Sequence, residues 1–308
     1  MQTVDFGKTG YTVSRLGAGL AEIGSELDFD DVEQAGNVLN NALDLGINFL
    51  DTAACYGISE ELIGRTVANR RDEYVLVTKA GHARGDGLNG SDWTYETVRA
   101  SIDRSLRRLN TDYVDLVQLH SCGIPDLENG DIIRALEDAR DAGKTRMIGY
   151  SGDNEAAHWA VDSGIFATLQ TSFNVVEQRA YSSGLLEKCA EKGIGVIVKR
   201  PIAGATWGMA RSGMDSSRRG YDNTYLQRCR DVQAAGDVPG EPDAPIIAAM
   251  GFTLAHPEIH VAIIGTKSPR HMVSNIETLD DALAIDGAFV DVLHDRFAAL
   301  DDEWRQLT

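Results

Sequence analysis

Eight short apolar runs recur along the chain with helical stretches between them, and this alternation narrows the possible folds more than any other feature. The runs are Val13–Leu16, Ile47–Leu50, Tyr74–Thr78, Val114–Leu119, Met147–Tyr150, Ala167–Leu169, Val196–Val198 and Val261–Ile264. Amphipathic segments lie between them, among them Val32–Leu45, Tyr95–Leu109, Asp131–Ala142 and Ser183–Lys192. Parallel strands need a crossover to return the chain, and a helix is the usual one. Eight such units predict an α/β fold of the closed (β/α)8 kind, a TIM barrel, in which residues 1–308 form a single domain. An open doubly wound sheet would carry a phosphate-binding glycine fingerprint after its first strand, and Gly17-Ala18-Gly19 lacks the third glycine. Met1–Gly10, with its Gly-Lys-Thr-Gly turn, is expected as an N-terminal β-hairpin plugging the barrel base. The polar stretch from about Ile202 to Asp243 is expected as a long loop after strand 7, and Asp286–Thr308 as a final helix.

The formal charge of −18 opposes binding to nucleic acid or to an anionic membrane surface. Asp outnumbers Glu and Arg outnumbers Lys, a bias that fits either a salt-adapted surface or a simply acidic cytoplasmic protein. No run of 18 apolar residues is present, and Met1–Gly10 has neither a basic nor an apolar leader region, so a cytoplasmic protein is expected. Cys55, Cys122, Cys189 and Cys229 form no C-x-x-C pair, which predicts free thiols rather than a metal ribbon or a redox dithiol.

All strand C-termini of such a barrel open on one face, where the active site sits. Asp51, Lys79, His120, Ser151, Gln170 and Lys199 follow successive strand runs, and Gly265 follows the last. One polar residue capping an apolar strand is ordinary. Six polar residues and a glycine on seven strand ends point to one ligand-binding mouth. Asp51 and Lys79 stand on adjacent strands and can pair, and Tyr56, five residues past Asp51, can fold back over the mouth. A phenol has a reference pKa of about 10, and a nearby ammonium would lower it. A neutral imidazole from His120 can donate a hydrogen bond to a carbonyl oxygen. Singly, Asp51 reads as a cap, Lys79 as a solvated strand end, His120 as a core histidine and Tyr56 as packing. Together the four form a proton donor beside an oxyanion site. His82, Trp93, Trp207 and Tyr221 fall on loops of the same face, as pocket lining or as loop packing.

The segments INFLDTAACYG, VLVTKAG, SLRRLNTDYVDLVQLH and IIGTKSPRHMVSN, in that order, resemble the aldo-keto reductase superfamily along nearly the whole chain. The resemblance implies a (β/α)8 barrel that binds extended NADP(H) without a Rossmann fold. It also implies a tetrad of Asp51, Tyr56, Lys79 and His120, with Tyr56 the general acid in reduction and the base in oxidation. The substrate would be a small carbonyl or alcohol: an aldehyde, ketone or aldose.

The segment Gly265-Thr266-Lys267-Ser268-Pro269-Arg270 joins a strand to a helix start, whose N–H groups suit phosphate oxygens, and Lys267 and Arg270 add positive charge there. By resemblance Lys267, His271 and Asn275 contact the adenosine phosphate, although Ser274 stands where the family usually has Glu. Ser151 and Gln170 match the family's nicotinamide carboxamide contacts, with Gly152 in place of a common Asn. Lys199 stands where many members place a stacking Tyr. Lys199 and Arg200 either bind the pyrophosphate or only flank the following loop. A nicotinamide-binding regulatory subunit with little turnover is the alternative, and a lyase using Lys79 as a Schiff-base nucleophile is a third. Steady-state NADPH oxidation and borohydride trapping separate the three.

Overall fold

The computed structural model describes residues 1–83, 87–215, 221–280 and 284–307. Strands β1 (Thr3–Asp5) and β2 (Thr12–Ser14) pair as an antiparallel hairpin. The following strands are β3 (Leu16–Gly19), β4 (Phe49–Asp51), β5 (Val75–Ala80), β6 (Val114–His120), β7 (Thr145–Ser151), β8 (Thr168–Ser172), β9 (Gly195–Lys199) and β10 (Val261–Ile264). These eight are parallel and close into a barrel, with β10 pairing back onto β3. The expected (β/α)8 architecture is therefore present.

Local sequence explains the crossovers. The helix Tyr95–Leu109 begins where Thr94 accepts a hydrogen bond from the Thr97 N–H and ends at Asn110, in the left-handed region with φ 52°. An oxygen-bearing cap and a left-handed Asn are the stop signals expected of a helix with this pattern. Val98, Ile102, Ser105 and Leu109 recur at helical spacing and are buried against the barrel. The larger apolar core lies between such helices and the strands, and a second cluster fills the barrel base.

The first barrel strand lies further along than expected. Val13 belongs to the hairpin, opposite Val4, and Leu16–Gly19, not Val13–Leu16, enters the barrel. The hairpin accordingly runs past Gly10 to Ser14. Its turn drives Phe6 into the barrel base, edge-on to Phe49 at 5.6 Å between ring centroids. Gly195 leaves the space for it: a Cβ there would lie 2.6 Å from the Phe6 ring. Val13 joins the same cluster with Val75, Leu116 and Ile197, so the short apolar run reads like a barrel strand but fills the plug.

The connection after β9 is long but is not a loop. It carries helices Thr206–Arg211 and Tyr221–Ala234, and residues 216–220 lie outside the described set. Tyr225, Leu226, Cys229 and Val232 form the buried face of the second helix, spaced for a helix but hidden among polar residues. A final helix is present and capped by Asp286, but it covers Gly287–Leu300 and gives way to a short turn at Asp301–Glu303 instead of running to Thr308. Among the described residues no helix is long and apolar enough to cross a membrane. All four cysteines are free, and no group of three His, Cys, Asp or Glu side chains is placed to hold a metal ion among those residues.

Candidate active site

The ends of β4, β5 and β6 bring the four proposed residues together. Lys79 Nζ donates to Asp51 Oδ2 at 2.7 Å and to the Thr52 carbonyl at 2.8 Å, and both side chains of the pair are buried. Gln170 Nε2, from β8, donates to the other Asp51 oxygen at 3.0 Å. The Lys79 ammonium lies 5.0 Å from the centroid of the Tyr56 ring. The His120 ring stands edge-on to Tyr56 at 5.6 Å.

The turn carrying Tyr56 is clamped rather than loose. The Ala54 N–H donates to the Lys79 carbonyl at 3.2 Å, and Arg108 Nη1, from the helix Tyr95–Leu109, donates to the Ala54 carbonyl at 3.1 Å. The Thr52 hydroxyl donates to the Ser59 hydroxyl at 2.8 Å. Arg108 is itself held by Glu61 at 2.8 Å, and the buried Glu60 accepts from Thr78 at 2.7 Å.

Electrostatics follow from this packing. Burial pulls the Lys79 pKa down, but the Asp51 carboxylate together with Tyr56 and Cys55 outweighs it, so the ammonium is held above its ordinary value and stays charged. Burial and the cations Lys79, Lys199 and Arg200 push His120 well below its ordinary range, which leaves a neutral imidazole. The expectation for Tyr56 needs correction. Burial raises its pKa, and the opposing pull of Lys79 does not overcome it, so the phenol titrates above its ordinary value. Desolvation penalises phenolate more than one ammonium, already shared with Asp51, can offset.

Ser151 and Gln170 join the same layer. Ser151 Oγ donates to Gln170 Oε1 at 2.8 Å, and Gln118 Nε2 reaches that oxygen at 3.5 Å. Gln118 Oε1 is buried with no hydrogen-bond partner among the described residues. Lys199 and Arg200 flank this layer. Lys199 Nζ pairs with Asp153 Oδ2 at 3.0 Å, and Asp153 Oδ1 also accepts from the Ser172 N–H at 2.7 Å. Burial works against the Asp153 carboxylate, yet Lys199 and that N–H together hold its pKa below the ordinary value. Arg200 takes a left-handed backbone, φ 59°, which directs its Nη1 to Ser172 Oγ at 2.8 Å and its guanidinium over the Tyr221 ring at 3.9 Å. Lys199 thus serves an ion pair at the position where an aromatic ring was looked for.

The other candidates lie apart, on the segment after β10. Gly265 is exposed at the strand end, where a Cβ would sit 2.9 Å from the Gly19 carbonyl oxygen. Thr266 and Ser268 hydroxyls accept from the Ser268 and His271 N–H groups and open the helix Pro269–Asp280. Lys267 is exposed and pairs with Glu26 at 2.8 Å. Arg270 and His271 are exposed and Asn275 half-buried on the same helix.

Of the loop aromatics, His82 reaches the mouth, its ring 5.1 Å from that of His120. Trp93 packs on His82 at 4.6 Å and covers Gly81, where a Cβ would lie 1.9 Å from the indole. Trp207 is core packing: it is buried, donates to Glu241 at 2.9 Å and stands edge-on to Phe289. Sequence reasoning missed Asp153, Gln118 and Cys55. Gln118 precedes His120 by two residues, so strand alternation alone puts it on the same face. Asp153 lies two residues past a strand end. Cys55 carried no signal.

A parallel barrel that collects an ion pair, a phenol and an imidazole at its strand C-termini has the architecture of an enzyme. Comparison with known proteins gives the family. The aldo/keto reductase family model matches residues 15–287, and the chain belongs to that family. An uncharacterized oxidoreductase of Bacillus subtilis, YqkF, is 28% identical over 288 residues, covering 90% of each chain. D-threo-aldose 1-dehydrogenase of a Pseudomonas species is 27% identical, covering 87% of this chain and 90% of the relative. The solved holo form of aldo-keto reductase AKR11C1 from Bacillus halodurans superposes with a TM-score of 0.79 over 96% of each chain, at 24% identity, which speaks to the fold alone.

Proposed function

We propose that this chain is an NADP(H)-dependent oxidoreductase that moves a hydride between the nicotinamide and a small carbonyl or alcohol substrate, on one barrel domain. The observation that carries this reading is the buried Lys79–Asp51 pair directly beneath Tyr56, with neutral His120 edge-on beside it.

The residues present fit the cofactor. A carboxamide needs donors and acceptors together, and the mouth offers the Ser151 hydroxyl, the Gln170 amide and the orphaned Gln118 Oε1. Gly265 leaves the backbone open where β10 meets the next helix, and Lys267, Arg270, His271 and Asn275 supply a charged and polar patch there. The two groups lie in different sectors of the mouth, as an extended dinucleotide requires. When bound, the nicotinamide supplies or accepts the hydride.

In reduction, His120 donates a hydrogen bond to the carbonyl oxygen and Tyr56 delivers the proton to the same oxygen. Lys79 keeps a positive charge under the phenol as it loses that proton, and Asp51 keeps Lys79 charged and in place. Arg200 and the Lys199–Asp153 pair border the mouth, where they face anionic parts of the ligands.

The test is NADPH oxidation across a panel of aldehydes, ketones and aldoses. Turnover of a reactive aldehyde supports the reading. Tight NADPH binding with no turnover of any member would instead favour a nicotinamide-binding regulatory subunit.

Cofactor choice has its own test. Hydrogen bonds to charged groups contribute about 1.5–3 kcal/mol, roughly tenfold or more in affinity. Lys267→Ala is therefore expected to weaken NADPH by about tenfold or more at low salt while leaving NADH nearly unchanged, as read by fluorescence titration. An equal loss for both cofactors would remove Lys267 from recognition of the 2′-phosphate.

A further inference from the structure

The Cys55 thiol lies 3.3 Å from Nδ1 of His120. The contact is set by the clamped turn that also places Tyr56, so the sulfur is held where it stands. The other ring nitrogen, Nε2, makes no hydrogen bond to the described residues. His120 is thus held on one side and open on the other.

A neutral imidazole has one N–H and one lone pair, and the partner of one nitrogen decides which carries the proton. Burial and three neighbouring cations keep His120 neutral, so the ring must make this choice. Two arrangements fit the 3.3 Å contact. In one, the thiol S–H donates to the Nδ1 lone pair and the proton sits on Nε2. In the other, Nδ1–H donates to sulfur and Nε2 presents a lone pair. A thiol is both a weak donor and a weak acceptor, so the contact itself permits either arrangement, and what the open Nε2 must present decides between them. The second would turn a lone pair towards a substrate carbonyl oxygen, setting two acceptors against each other.

We propose that Cys55 is a positioning residue: its thiol donates to His120 Nδ1 and holds the imidazole in the tautomer whose Nε2–H is available to the substrate oxygen. The inference rests on the oxidoreductase reading for its consequence in catalysis, but the tautomer itself is read directly from the ring nitrogens.

The test uses the full chain with 15N-labelled histidine. In the wild type the ring-nitrogen shifts of His120 are expected to show a protonated Nε2 and a bare Nδ1. Cys55→Ala is expected to shift that pattern towards a mixture and to lower kcat about 5–10-fold, the size of one lost hydrogen bond, with NADPH affinity unchanged. Cys55→Ser keeps a donor and is expected to restore the Nε2-protonated pattern and most of kcat. A sulfur that only fills space would leave the tautomer unmoved in both variants. A wild-type His120 protonated on Nδ1 overturns the proposal without any variant. A Cys55→Ala protein with wild-type shifts and wild-type kcat overturns it as well. If wild-type protein turns over no carbonyl, the proposed function fails, and the nitrogen shifts still decide this inference.

Discussion

Replacing Tyr56 with phenylalanine is expected to cut turnover by about 10²–10⁴-fold, the usual size of a lost general acid, while NADPH still binds. Hydride delivery to a carbonyl carbon leaves an alkoxide that must be protonated as it forms. Asp51 is engaged by Lys79 and Gln170, and Lys79 is held charged by Asp51. His120 is held neutral and is a weak acid. The phenol remains as the proton donor. Tyr56→Phe keeps the ring and its edge contact with His120, and the residues proposed to hold the cofactor stand on other strands. The raised pKa of Tyr56 adds a pH signature. A phenol titrating above its ordinary value keeps its proton through neutral pH, so reduction should not fall until pH passes about 10. Oxidation needs the phenolate and should climb with pH over the same range. Single-turnover kinetics in both directions check this. A near wild-type rate in Tyr56→Phe would make His120 the acid to test.

Lys79→Met is expected to damage both turnover and stability. The methionine fills much of the same space and removes the charge. Asp51 would then be a buried carboxylate whose remaining side-chain donor is the Gln170 amide. Breaking a buried pair by removing one partner costs about 3–5 kcal/mol. The sign with pH follows from Asp51. Burial already drives its pKa up, and without Lys79 it rises further. The unfolded carboxyl titrates at about 4, so the variant's penalty is small below that, grows as pH rises from there towards the elevated folded value, and levels off above it. The difference in Tm from wild type should therefore widen between acid and neutral pH. Adding Asp51→Asn should recover part of the stability without activity. Turnover should fall by at least about 10²-fold, since the phenolate loses its neighbouring charge. A Lys79→Met protein of wild-type stability at neutral pH would show that the pair is not under strain of burial.

The barrel was legible because its strands are buried on both faces and read as continuous apolar runs ending in polar residues. Asp51, Lys79, His120, Ser151 and Gln170 could be placed at one mouth from that pattern; the side chains of Asp51, Lys79, Ser151 and Gln170 are linked by hydrogen bonds, and His120 joins them through its edge contact with Tyr56. Val13 misled because an apolar residue filling the plug has the same composition as one in a barrel strand. The helix Tyr221–Ala234 was read as loop because its few apolar positions sit among polar ones and periodicity over so short a face is weak. The pKa of Tyr56 was misjudged because charge proximity can be read from strand order, whereas burial depends on how the turn packs. Asp153, seated between Lys199 and the Ser172 N–H, depends on three segments whose meeting no single stretch of sequence shows.

Glu26 pairs with Lys267 at 2.8 Å, while Gln34 donates to the lysine's carbonyl at 2.7 Å. If Lys267 reads the cofactor's phosphate as proposed, the phosphate would exchange partners with that carboxylate instead of capturing an idle ammonium. Added salt weakens the contact that is lost and the contact that is gained together. On the proposed reading Glu26 would compete with the phosphate for the lysine, and cofactor affinity is expected to be flatter against ionic strength than a solitary lysine would allow.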